Sequence, residues 1–209
     1  MPTQAAIRRD PRHTGNGIST QTGFTVIELM IAIGVLAVIA SLALPSYRTI
    51  MEKRQVTSGA EQLGAFLSSA QLESVKRNQF VVVNYQENGG DWCFGMRAGD
   101  SAAVACDCTV VDSTAANACQ LDGSLKVFAS SVLNYPEVLI SATVGDDGSI
   151  VYDPVRGLVQ DAETVKLGLQ SLPENTYALD VEVSPTGRVK ICSNKDANKD
   201  VVGFKECST

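Results

Sequence analysis

The sequence is poor in the side chains on which most enzyme chemistry depends. It has one histidine, His13, one tryptophan, Trp92, and only 6% aromatic residues among its 209. Beyond His13 the chain holds no imidazole, which excludes a histidine-based nucleophilic triad and a histidine-ligated zinc site there. Glycine-rich phosphate loops and nucleophile motifs are also missing. We therefore expect no enzymatic activity and no cofactor.

Basic residues are scarce in the body of the chain. Residues 79–183 carry four basic and fifteen acidic side chains, a net charge of -11, whereas residues 45–78 and 184–209 each carry +2. An acidic body repels nucleic acid unless its basic residues gather on one edge.

Cysteine is absent before position 93, and all six cysteines follow the long apolar run described below. They are Cys93, Cys106, Cys108, Cys119, Cys192 and Cys207. An even set confined to one side of an apolar segment indicates disulfides in an oxidising compartment. The spacing Cys106-x-Cys108 is too short for a zinc knuckle, so we expect no metal site at the cysteines.

The last two cysteines enclose a polar, lysine-rich segment that has little apolar surface to hold it down. Closing such a loop of about 15 residues is worth roughly 3 kcal/mol in the chain-entropy model. We therefore predict a Cys192–Cys207 disulfide. The four earlier cysteines would form two more, and the sequence leaves their three possible connectivities open.

Charge is almost absent from residues 24–44, which read FTVIELMIAIGVLAVIASLAL with Glu28 as the one charged side chain. This stretch is long enough to span a bilayer, and Arg8, Arg9 and Arg12 would hold its N-terminal side in the cytoplasm. A plain signal-anchor helix is the simpler interpretation. It does not explain Glu28, because a carboxylate at the centre of a bilayer costs about 2.5–3.5 kcal/mol on insertion scales.

The hexapeptide Gly23-Phe24-Thr25-Val26-Ile27-Glu28 resembles the class III signal of type IV prepilins and pseudopilins. The resemblance implies that a prepilin peptidase cuts between Gly23 and Phe24 and methylates the new N-terminus. It also implies that Glu28 pairs with the Phe24 amine of a neighbouring subunit during assembly. Pro45 falls where this family places a proline that kinks the helix.

After Pro45 the apolar positions Val56, Ala60, Leu63, Leu67 and Ala70 recur at helical spacing, which predicts an amphipathic helix ending near Asn78. Strands are predicted at 80–85, 92–96, 125–128, 138–144, 149–152, 164–169, 177–183 and 187–192. Residues 98–123, which contain three of the cysteines, are predicted to form a loop held by disulfides. One long helix packed on an antiparallel sheet is an α+β fold, and it is also the pilin architecture that the resemblance implies.

Three further patches are similar to GspH/FimT-type minor pilins. They are residues 70–77, Trp92 after a glycine-containing turn, and residues 184–192. The chain departs from that group at Gln71, where arginine is usual. Within the last patch, Gly187-Arg188-x-Lys190 resembles a sequence associated with DNA uptake in FimT-like pilins. Arg188 and Lys190 are therefore candidate DNA contacts. The alternative is a solvated edge strand, which the acidic body favours.

A second motif near the C-terminus has the alternating oxygen ligands of a calcium loop. Asn194, Asp196, Asn198 and Asp200 supply these ligands, but the glycine that should follow Asp200 is missing, and Cys207 stands where a bidentate glutamate belongs. A polar surface loop is therefore the simpler interpretation.

Together these features predict four segments: a leader (1–23), a transmembrane segment (24–44), an amphipathic helix (45–78) and a β-rich GspH/FimT-like domain (79–209). The resemblance implies a single-pass inner-membrane protein with a periplasmic domain, later part of a pilus or pseudopilus. Its expected partners are the prepilin peptidase and other pilin or pseudopilin subunits. We expect a minor pilin that initiates or caps a pilus. The alternatives are a GspH-like pseudopilin of type II secretion and a DNA-binding minor pilin.

Overall fold

The structure is a computed structural model that describes residues 23–133, 138–143, 148–160, 163–171, 176–194 and 200–207, with the backbone alone at 42–46, 132–133 and 138–143. The chain divides into two compact units at Leu44 and Pro45. In the described residues one long helix is followed by ten β-strands, with a 3-10 helix at Ser130–Leu133.

The helix α1 spans Val26–Arg77. The strands are β1 Phe80–Asn88, β2 Asp91–Gly99, β3 Gln120–Leu121, β4 Ser124–Leu125, β5 Val127–Ala129, β6 Val138–Thr143, β7 Ser149–Tyr152, β8 Val165–Ser171, β9 Ala178–Val183 and β10 Val189–Ser193.

Helix α1 continues through Pro45 and ends where the sequence predicts. Asn78 adopts a positive φ of 53°, the left-handed conformation that ends many helices. The cations Lys76 and Arg77 occupy the last turn, where they are favoured by the helix dipole. Among the residues that the structure describes, no helical stretch combines the length and the apolarity needed to cross a membrane.

The strands form two four-stranded antiparallel sheets and one small hairpin. The first sheet has the order β5-β2-β1-β7 and the second the order β10-β9-β8-β6. The hairpin joins β3 to β4 through Asp122 and Gly123, both at positive φ, as a tight two-residue hairpin turn requires. The α+β class is confirmed, with the strands divided between two sheets.

The core of the unit 45–209 lies where the apolar stripe of α1 meets both sheets. The five stripe residues Val56, Ala60, Leu63, Leu67 and Ala70 are fully buried, which confirms the amphipathic helix. In β2, Trp92, Phe94 and Met96 point into this core, whereas Cys93 belongs to a separate cysteine cluster. The outer face of β2 therefore carries the disulfides, since successive strand side chains point to opposite faces.

Strands β1 and β2 are longer than predicted, and the loop predicted over 98–123 contains the end of β2 and all of β3. Two larger differences arise at turns. The segment predicted as one strand at 125–128 contains the end of β4 and most of β5, because the Asp122–Gly123 turn pairs β4 with β3 and not with β2. The strand predicted at 187–192 begins only at Val189. Gly187 and Arg188 belong to the preceding turn, in which the Arg188 N–H and the Arg188 carbonyl both bond to Ser184.

Candidate functional site

The predicted processing and assembly residues lie at the start of α1. Thr25 immediately precedes the helix, and its Oγ1 accepts a hydrogen bond of 3.2 Å from the Glu28 N–H. This is one half of a capping box, in which a threonine caps the helix and a glutamate follows three residues later. Glu28 thus lies in the first turn, where a carboxylate is favoured by the helix dipole. The Thr-x-x-Glu pattern could have revealed this cap from the sequence.

The first part of α1 is apolar on every side. All described side chains from Phe24 to Ser41 are exposed, including Phe24 at 86% and Ile27 at 63%. Glu28 is the one charged residue among them. A helix that is apolar all round is normally covered by protein or lipid, so this surface is suited to burial with Glu28 inside it. Pro45 lies within α1, and its side chain falls outside the described residues.

The four central cysteines form two interlaced disulfides. Cys93 of β2 is bonded to Cys108, and Cys106 is bonded to Cys119. These pairings select one of the three connectivities that the sequence left open. The loop of residues 100–119 is thereby fixed over the outer face of the first sheet, where the Asn84 side chain accepts the Cys106 N–H at 2.9 Å.

Gly95 makes room for the loop of residues 100–119 to pass over strand β2. It lies on the outer face of β2 directly beneath the disulfides. A Cβ built at Gly95 would overlap the Cys119 Sγ, and it would lie 2.6 Å from the Cys119 Cβ and 2.9 Å from the Cys108 Cβ. Only a residue without a side chain leaves space for both bridges.

The C-terminal segment is fixed in a similar way over the second sheet. Cys192 of β10 is bonded to Cys207, the pairing that the sequence predicts. The Ser193 N–H donates to the Lys205 carbonyl at 2.8 Å, and the Cys207 N–H donates to the Ser193 carbonyl at 3.1 Å. The described tail is therefore held to the sheet edge by both covalent and hydrogen bonds.

The two candidate DNA contacts differ in their surroundings. Lys190 faces Glu182 on the adjacent strand β9 at 3.6 Å, and Lys166 of β8 faces the same carboxylate at 3.7 Å. Glu182 is buried, so it reduces the charge that Lys190 can present to a phosphate. Arg188 is exposed and has no ion-pair partner among the described residues. The two cations therefore differ: the charge of Lys190 is partly neutralised by Glu182, whereas that of Arg188 is not.

Gln71, which departs from the GspH/FimT-type pattern that residues 70–77 resemble, joins α1 to two turns. Its Nε2 donates to the Gly157 carbonyl at 2.9 Å and to the Thr186 carbonyl at 3.3 Å. Gly187 packs so closely here that an added Cβ would overlap Gln71 and the Gly157 carbonyl. Gly187 also has a φ of +77°, so the glycine of Gly187-Arg188-x-Lys190 is required by packing. The sequence shows the departure at Gln71 but not its two distant partners.

The end of α1 carries a charged cluster around Arg77. The Arg77 guanidinium donates to both Asp122 carboxylate oxygens, at 2.8 Å and 2.5 Å, and to Glu73 at 2.6 Å. The hydrogen bonds from Arg77 hold the pKa of Glu73 and the pKa of Asp122 below their usual values. The same two carboxylates raise the pKa of Arg77. This cluster fastens the β3–β4 turn to the helix end.

One cluster of potential metal ligands occurs in the described part of the chain, formed by Glu182, Cys192 and Cys207. Both cysteines are consumed by their disulfide, so they offer no thiolate. The calcium-like motif falls largely outside the described residues. Its first member, Asn194, donates from its side chain to Asp180 at 2.8 Å.

Comparison with known proteins identifies two regions of the chain. The family model described as type II transport protein GspH matches residues 59–187. The model described as the prokaryotic N-terminal methylation motif matches residues 18–44.

Curated relatives match a short part of the chain. A fimbrial protein of Pseudomonas aeruginosa is 30% identical over 64 residues, which are 31% of this chain and 42% of that protein. The type IV major alpha-pilin of Moraxella bovis is 42% identical over 48 residues, 23% of this chain and 30% of that protein. The prepilin peptidase-dependent protein D of Escherichia coli is 26% identical over 69 residues, 33% of this chain and 47% of that protein. The chain thus spans less than half the length of these relatives.

Among solved structures, the crystal structure of the type IV minor pilin FimU from Pseudomonas aeruginosa aligns with a TM-score of 0.43 and 13% identity, covering 69% of this chain and 95% of that one. The GspH model matches more than half of the present chain. With its N-terminal methylation motif, the chain therefore belongs to the GspH family of type IV pilin-like subunits, which comprises minor pilins and pseudopilins.

Proposed function

We propose that this protein is a minor type IV pilin that assembles through its N-terminal helix into a pilus and helps to initiate or cap the fibre. The observation that carries the proposal is the union in one chain of a methylation motif at residues 18–44 with a GspH domain at residues 59–187. Its role is structural and not enzymatic, as in its family.

Processing and assembly would use the first turn of α1. The prepilin peptidase would cut between Gly23 and Phe24 and methylate the Phe24 amine. Glu28 would then pair with the amine of a neighbouring subunit inside the apolar helix bundle. Two opposite charges in a low-dielectric environment attract strongly, and either one left alone there would be costly. This pairing gives the one carboxylate in the exposed apolar helix a specific partner.

The apolar segment 24–44 would anchor the subunit in the inner membrane before assembly, with the domain on the periplasmic side. The length of this stretch supports the placement, because 21 residues with a single charged side chain are enough to span a bilayer. The three disulfides support it too, because such bonds persist in oxidising compartments.

A second candidate is a pseudopilin of a type II protein secretion system. It is favoured by the GspH model, whose description refers to type II transport. Deleting the gene separates the two: loss of surface pili with normal protein export supports the minor pilin, and loss of export with normal pili supports the pseudopilin.

DNA binding through Arg188 and Lys190 stays a prediction, and the ion pair of Lys190 with Glu182 counts against it. The test is binding of duplex DNA by the full chain in detergent at several salt concentrations. A DNA-uptake role requires affinity that falls with salt and that Arg188→Ala reduces.

The assembly role of Glu28 is tested by two matched variants. Glu28→Gln keeps a side chain compatible with the capping box but removes the charge, whereas Thr25→Ala removes the cap and keeps the charge. We expect Glu28→Gln to be processed and inserted yet missing from fibres, and Thr25→Ala to be incorporated. Incorporation of Glu28→Gln at the wild-type level would contradict the charge-pairing role.

A further inference from the structure

A groove lies between helix α1 and the tail turn of residues 201–204, and we call it the helix–tail groove. Its volume is about 350 Å³. On the helix side Lys53, Thr57 and Glu61 line it at four-residue spacing, with Arg54 beside Lys53. Residues spaced in this way share one face of a helix, so these side chains belong to the same wall of the groove.

The two cations stand at one end of the helix–tail groove. The Lys53 Nζ lies 4.9 Å from the centre of the Tyr177 ring, an attraction that leaves its charge in place. In the part of the chain that the structure describes, neither Lys53 nor Arg54 forms an ion pair. Glu61 is the one acidic residue of the described lining, and it lies about 10 Å beyond Arg54 along the helix axis. Glu52 is turned about 100° around the helix from Lys53 and does not line the groove. This end of the groove therefore presents positive charge that no lining carboxylate neutralises.

The opposite wall of the helix–tail groove is apolar and fixed in place. Val201 is buried, whereas Val202 in the tail turn is 86% exposed. The Val201 N–H donates to the Ser193 Oγ at 3.4 Å, and the Cys192–Cys207 disulfide holds the end of the tail on strand β10. A wall fixed in this way loses little conformational freedom on binding, which favours affinity.

We propose that the helix–tail groove docks a segment of a different pilin-type subunit that presents an aspartate or glutamate beside an aliphatic side chain. The carboxylate would lie between Lys53 and Arg54, and the aliphatic side chain would cover Val202. The inference rests on the proposed function, because that function supplies the neighbouring subunits.

The surfaces of the chain select this occupant. The cations of the groove favour an acidic segment, and the exposed Val202 favours a peptide over a nucleic acid, which the acidic body of residues 79–183 also repels. A second copy of this chain would have to bring its acidic body to the groove, which is a contact between two different surfaces. Such head-to-tail contacts repeat into filaments of a single subunit, and that is not the role of a subunit that initiates or caps a fibre.

The test places an aliphatic photo-crosslinking amino acid at Val202 of the full chain, in cells that assemble the fibre, and identifies the cross-linked peptide by mass spectrometry. We expect a peptide from a different pilin-type subunit in which an acidic residue lies next to an aliphatic residue. Arg54→Glu should reduce this product at least about tenfold, because like charges across an interface are strongly unfavourable. Arg156→Glu makes the same change of charge at an exposed site outside the groove and should leave the product unchanged.

A charge swap completes the test. Exchanging the acidic residue of the partner segment for lysine should restore the product with Arg54→Glu. Non-reducing peptide mapping of each variant must show the three native disulfides, so that a folding defect is not mistaken for lost docking. Arg54→Gln, which only removes the charge, takes the place of Arg54→Glu if the latter lacks them.

Four results would overturn the proposal. They are a product that the Arg54 variant leaves unchanged, a partner segment without an acidic residue, a product with a second copy of this chain, and fibres that form with no product at Val202. Because Glu28 is untouched, those results would leave the assembly role of the N-terminal helix standing.

Discussion

The Gln71 side chain on helix α1 donates a hydrogen bond of 2.9 Å to the carbonyl oxygen of Gly157, which lies 86 residues further along the chain. The same amide nitrogen also contacts the Thr186 carbonyl at 3.3 Å. One side chain thus fixes two turns to the helix, and the second of these turns carries Arg188. Gln71 therefore helps to hold the turn that leads to this exposed arginine.

Gln71→Ala should destabilise the domain by about 1–3 kcal/mol, because it leaves the carbonyl of buried Gly157 without its donor. Gln62→Ala is the matched control. Gln62 is exposed on the same helix, and its amide bonds only to Ser58, so we expect a much smaller change there. Urea unfolding of the full chain in detergent measures both. Equal destabilisation by the two variants would contradict the role of Gln71 in joining helix α1 to the two turns.

Gly95→Ala should prevent correct formation of the central disulfides, because its methyl group would overlap the Cys119 Sγ. Gly64→Ala adds the same methyl group in helix α1, where its nearest neighbour would be the Ile191 Cδ1 at an ordinary 3.5 Å. We expect that control to fold, and its better helix propensity to offset any crowding. Non-reducing peptide mapping reports the pairings. Native Cys93–Cys108 and Cys106–Cys119 bridges in Gly95→Ala would show that β2 accepts a side chain there.

The Arg77 cluster should make stability depend on pH in the acid range. Bonding to Arg77 lowers the pKa of Glu73 from 4.5 and the pKa of Asp122 from 3.8. The folded state therefore binds protons less readily than the unfolded state, so this contribution is present above the ordinary carboxyl pKa values and is lost as the pH falls below about 4.5.

We expect the Tm of the wild-type protein to fall more steeply than that of Arg77→Met between about pH 5 and pH 3. Lys76→Met is the control, because it removes the same charge from a largely exposed side chain, which bonds to Glu73 at 3.5 Å and lowers the pKa of Glu73 and the pKa of Asp122 less than Arg77 does. Thermal unfolding across this pH range gives the three slopes. Parallel curves for wild type and Arg77→Met would show that the cluster contributes no pH dependence.

The helix, most strands and the C-terminal disulfide could be predicted because their signals are local. Apolar residues at helical spacing mark the buried stripe from Val56 to Ala70, and a polar tail between Cys192 and Cys207 needs a cross-link. The central disulfides could not be paired, because the path of the loop over β2 depends on contacts distant in sequence, such as the space above Gly95. The partnership of Lys190 with Glu182 depends on strand register, which no residue near Lys190 reveals.

The most direct test of the pilin function is the intact mass of the chain recovered from membranes or sheared fibres of a cell with an active prepilin peptidase. We expect a chain that lacks residues 1–23 and begins at Phe24 with one added methyl group. This result would show that the segment before the apolar helix is a leader and that the Phe24 amine is free to meet Glu28 of a neighbour. A recovered chain that still carries residues 1–23 would contradict processing, and with it the proposed route into the fibre.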